Sequence, residues 1–134
     1  MQTGRWNIVV AGSFIFVFAL LGFFLGFTME PYFEKGFYAM PYARALLKGG
    51  HTHGMPLALY NLLVGVLLGR LVLSDQWKKW CSALAMLSFF MPLGLILRGL
   101  TNGAMTFAPV AMFGILCFLA SAAILIKGAL GMKA

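Results

Sequence analysis

Charge is what this chain has least of. Of 134 residues, three are acidic and ten are lysine or arginine. A soluble domain of this size keeps its surface wet with roughly a quarter of its residues charged, so a water-soluble domain is excluded. The length leaves no room for a second domain. The basic residues stand singly between apolar runs, with no basic face interleaved with aromatics, which argues against a nucleic-acid partner. Cysteine is nearly as scarce. Cys81 falls near one end of its apolar segment and Cys117 near the middle of its own, a difference in depth that speaks against a disulfide and for two small packing residues.

Catalytic patterns are missing too. No apolar segment carries Asp, Glu or Lys at its centre, so no proton or ion relay is visible. Nothing reads as a nucleophile motif, a phosphate loop or a carboxylate pair within a segment. Glu30 and Glu34 are four apart, but Pro31 breaks the helix that would align them. Catalysis by this chain alone is unsupported. No internal repeat is evident, which lowers the case for a self-contained inverted-repeat transporter.

What the chain does have is hydrophobicity, 62% of it, in four long segments. They are read as spans at 7–28, 51–73, 80–98 and 105–127, each within the ~17–25 residues needed to cross hydrocarbon. The fold expected is an all-α integral membrane protein, a four-transmembrane-helix bundle with a long first extracytoplasmic loop. The first segment exceeds the apolar core of a cleaved signal peptide and is expected to remain as a span. Arg5, Arg70, Lys78, Lys79, Lys127 and Lys133 fall on one side, against Lys35, Arg44, Lys48 and Arg98 on the other. The positive-inside rule then places both termini in the cytoplasm. In the loop, Phe37, Tyr38, Met40, Tyr42 and Leu46 beside Lys35, Arg44 and Lys48 suggest a segment lying along the outer headgroups.

Membrane helices associate through close backbone approach, which needs small residues on one stripe. Gly12, Ala19, Gly22 and Gly26 form such a stripe in the first span, and Gly54, Ala58, Asn61, Gly65 and Gly69 in the second. Cys81, Ala85, Ser88 and Pro92 follow in the third, and Gly114, Cys117 and Ser121 in the fourth. Gly22, Gly26, Gly65 and Gly69 are therefore expected to face protein. Asn61 is expected to bond across to another helix.

Both histidines lie in GGHTHGMP, residues 49–56. The glycines weaken a helix and Pro56 suits a first helical position. If the helix starts at Pro56, His51 and His53 project to the same side and can grip one metal. If it starts near His51, the two imidazoles point some 200° apart. His51 then extends the seam of Gly54, Ala58 and Asn61, and His53 shares a face with Tyr60. The expected topology brings Glu30, Glu34, Arg98 and Asn102 to the same outer level, with Arg98 snorkelling or pairing with Glu30.

The stretch GHTHG before an apolar helix resembles the His-x-His openings of some haem–copper membrane proteins. The resemblance covers His51, His53 and the run after them, and the chain holds no further histidine. It implies haem or a transition metal as cofactor.

Three functions follow as expectations. One is a small polytopic membrane subunit whose outer His-x-His site binds haem or a metal within a larger membrane complex. Another is a structural or assembly subunit docking partner membrane proteins or further copies of itself. The last is a small carrier or membrane enzyme for a lipidic or anionic substrate.

Overall fold

A computed structural model of the chain describes residues 3–29 and 39–132. Their order is α1 (Thr3–Met29), α2 (Pro41–Leu67), α3 (Asp75–Leu87), α4 (Phe90–Leu100), a single 3₁₀ turn (Met105–Phe107) and α5 (Ala108–Leu130). Three stretches are long and apolar enough to cross a membrane: Gly4–Thr28, Asp75–Leu100 and Met105–Leu130. The second joins α3 and α4 into one bent rod, so four rods make the bundle. Together these features suggest a membrane protein.

α2 departs most from the sequence reading. It begins at Pro41 rather than at His51 or Pro56, and it runs unbroken through Gly49, Gly50, Gly54 and Pro56. Pro41 supplies the start, because its missing N–H falls where no helical partner exists. Packing supplies the rest. Ala43, Leu46, Leu47 and Gly50 are buried. Gly50 lets the backbone of Pro92 and the side chain of Ile96 on α4 come close, and Gly54 makes room for the Phe18 ring of α1. Residues 41–55 are thus part of the bundle, not a segment lying along its end. Phe37 and Tyr38 lie outside the described residues.

The α3–α4 bend has a local cause. Pro92 has no N–H to give the Ser88 carbonyl, which instead accepts from Met91 N at 3.0 Å. The buried Ser88 hydroxyl turns back to the Ala85 carbonyl at 2.6 Å. Phe89, thrown out at the bend, stacks on Phe14 of α1 with ring centroids 3.7 Å apart.

α2 packs most extensively on α1 and α4, and α5 lies along both α3 and α4. Glycine carries the closest contacts. Gly4 of α1 and Gly65 of α2 meet backbone to backbone, and Gly114 of α5 meets the backbone of Met91. On α1 the inward face is Asn7, Ala11, Phe18 and Leu25, one step round the helix from the expected stripe. Gly12, Ala19 and Gly26 face outward instead. Aromatic rings, Phe14 and Phe18, rather than small residues meet Phe89 at the α3–α4 bend.

Candidate functional site

The polar side chains gather at two levels. At one end, Asn7, Asn61 and Ser82 join α1, α2 and α3. Asn7 Nδ2 donates to Asn61 Oδ1 at 3.1 Å and to the Ser82 carbonyl at 3.1 Å. The Ser82 hydroxyl donates to Asn7 Oδ1. Asn61 Nδ2 reaches the carbonyls of Leu57 at 3.1 Å and Ala85 at 2.7 Å. Both asparagines are 0% exposed, and every donor and acceptor on their amides is used. Alongside, Tyr60 and Ser121 hydroxyls bond at 2.9 Å, and Ser121 Oγ donates to the Cys81 carbonyl at 3.0 Å. Such mutual saturation holds helices in register; it leaves no group free to act on a substrate. Cys81 and Cys117 are both free and buried.

The other level holds the histidines. Because α2 is continuous through them, His51 and His53 diverge by some 200°, the second of the two geometries the sequence left open. His51 turns toward α1 and occupies the notch that Gly22 leaves. Its Nδ1 is buried and has no hydrogen-bond partner among the described residues. His53 is exposed, next to exposed Thr52, which stands one turn from exposed Lys48. Among the described residues no group of three or more His, Cys, Asp or Glu side chains comes together.

Arg98, at the end of α4, donates through Nη2 to the Tyr42 hydroxyl at 2.7 Å and lies 5.7 Å from the centre of that ring. The same Nη2 lies 3.2 Å from Met105 Sδ. Glu30 and Glu34 fall outside the described residues. Asn102 takes a left-handed conformation, φ 53°, in the turn after α4, where Gly103 N caps the Arg98 carbonyl at 2.6 Å. Tyr60 and Asn61 belong to the far level, about 14 Å along α2 from His51 at 1.5 Å per residue.

Of the four glycines, Gly22 and Gly65 touch a neighbouring helix, whereas Gly26 and Gly69 have open space where a Cβ would stand. Asn7 and Ser82 carry contacts that the sequence did not flag. Asn7 and Ser82 each stand near the start of an apolar run, where a polar residue reads as a boundary. Compared with protein families, with curated proteins and with solved structures, the chain matches none.

Proposed function

We propose that the chain is a multi-pass membrane subunit with four spans and both termini in the cytoplasm, and that it works by docking other membrane protein through the outer face of α2. The observation that carries this is the exposure of Thr52 and His53. Gly99 packs on Leu47, which sets Arg98 and Leu47 at about the same height. His53 lies six residues further along α2, about 9 Å deeper. Ionisable side chains at such depth almost always face protein or a water-filled cavity. Among the described residues His53 faces neither, so a docked neighbour is what would cover it.

The orientation draws on charge and tryptophan together. Arg5, Arg70, Lys78, Lys79 and Lys127 share one end with Trp6, Trp77 and Trp80, and Lys127 Nζ sits 4.4 Å from the Trp77 ring centre. Tryptophan marks a headgroup level, and the excess of basic residues makes it the cytoplasmic one. In intact cells an impermeant thiol reagent is expected to label Asn102→Cys and to spare Ser74→Cys. Labelling of Ser74→Cys would reverse the orientation.

Docking is tested by His53→Cys in a chain with Cys81 and Cys117 replaced by Ala. Oxidation in native membranes is expected to give a cross-linked band, at twice the 14.6 kDa chain for a second copy and elsewhere for another protein. A band at the monomer position alone would sink the reading.

A second reading keeps haem or a transition metal, with His51 as its ligand. It is favoured by the buried, unpartnered Nδ1 of His51, since a neutral imidazole nitrogen is a good metal ligand. Optical spectra and metal analysis should then change with His51→Ala. Unaltered content in both His51→Ala and His53→Ala would end it.

A further inference from the structure

The end of the bundle opposite the histidines holds a groove of about 650 Å³ between the start of α1, the end of α2 and the first turn of α3. Three cations meet there, Arg5, Lys78 and Lys79, against one carboxylate, Asp75. No ion pair engages these four among the described residues. The walls are of a different kind. Ile8 and Val66 line the groove and are exposed, and at Gly69 the floor is open, with no atom within 4 Å of where a Cβ would stand. Trp6, Trp77 and Trp80, all exposed at this end, place the groove at headgroup height.

A cationic rim on an apolar wall at that height suits one kind of molecule. We propose that the groove binds an anionic phospholipid, its phosphate-bearing headgroup among Arg5, Lys78 and Lys79 and an acyl chain along Ile8 and Val66. The inference rests on the membrane-spanning reading, but not on docking at α2. Free phosphate would meet the same cations and gain nothing from the wall. Asp75 is the opposing term, since its charge repels a headgroup and limits the affinity.

The test is a thermal-shift titration of the whole chain, purified in neutral detergent. Phosphatidylglycerol is expected to raise the melting temperature saturably, whereas phosphatidylcholine and inorganic phosphate do not. The triple variant Arg5→Gln, Lys78→Gln, Lys79→Gln should bind phosphatidylglycerol at least about tenfold more weakly, because each basic residue contributes to attraction for anionic lipid. Asp75→Asn should bind it more tightly, which keeps the proposal testable if the triple variant folds poorly. Equal shifts with both lipids, a full shift with phosphate alone, or an Asp75→Asn affinity that stays the same or falls would overturn it. Thiol labelling that still reports four spans would then show that the lipid site alone had failed.

Discussion

Gly65→Leu is expected to destabilise the detergent-purified chain by about 3 kcal/mol, the upper part of the range for over-packing a close contact, whereas Gly26→Leu leaves stability within about 0.5 kcal/mol. The difference lies in what each new side chain meets. A Cβ at Gly65 would stand 2.8 Å from the Gly4 carbonyl oxygen and 3.2 Å from Ile8 N. Those atoms belong to the α1 backbone and cannot rotate aside, so α1 and α2 must part. At Gly26 there is nothing within 4 Å. Without a hydrophobic drive between helices in lipid, this backbone approach is much of what joins the pair. Thermal unfolding of the two variants side by side measures the contrast, and equal melting temperatures would refute the Gly4–Gly65 contact.

That contrast also shows what the sequence could and could not convey. The number of rods and the small residues of the later segments were legible: Cys81, Ala85, Ser88, Pro92, Gly114, Cys117 and Ser121 are all buried. The rotation of α1 was not. Its segment is apolar on every side, so no polar face tells inside from outside. Gly12, Ala19 and Gly26 make as good a stripe on paper as Asn7, Ala11, Phe18 and Leu25 make in the bundle. The start of α2 was hidden for the opposite reason. Gly49, Gly50 and Pro56 are poor helix residues, but Gly50 and Gly54 are what allow α4 and Phe18 to approach, so tertiary packing outweighs local preference. The break between α3 and α4 was marked by Pro92, which was read as one more small residue.

The candidate site divides along the same line. The sequence put the two histidines at one outer level with Arg98 but could not show which way the imidazoles point, because that depended on where α2 begins. Once α2 is helical from Pro41, His51 is committed to the Gly22 notch and His53 to the outside. What fixes this arrangement is the register of α1 against α2, set at the far end by Asn7 and Asn61.

Asn7→Leu is expected to cost about 1–3 kcal/mol, since it leaves Asn61 Oδ1 buried without its donor. Asn61→Leu should cost less. It removes one acceptor from Asn7 Nδ2, which keeps the Ser82 carbonyl, and the Ala85 carbonyl it vacates still accepts from the Ser88 hydroxyl. The double variant should cost less than the sum by about 0.6–1.7 kcal/mol, the coupling measured for hydrogen bonds between membrane helices. A double-mutant cycle of unfolding free energies in detergent gives the coupling directly, and strictly additive costs would mean that α1 and α2 are not joined by this bond. The consequence reaches the histidine end. With the lock removed, the register of α1 along α2 is left to the Gly4–Gly65 contact and to Phe18 against Gly54, and a slip there carries Gly22 away from the His51 ring. A fluorophore or spin label on His53→Cys should therefore report a changed environment in Asn7→Leu, although it stands about 12 Å along α2 from Asn61, the partner of the substituted residue. An unchanged label signal beside a lowered stability would confine the asparagine pair to holding its own end of the bundle.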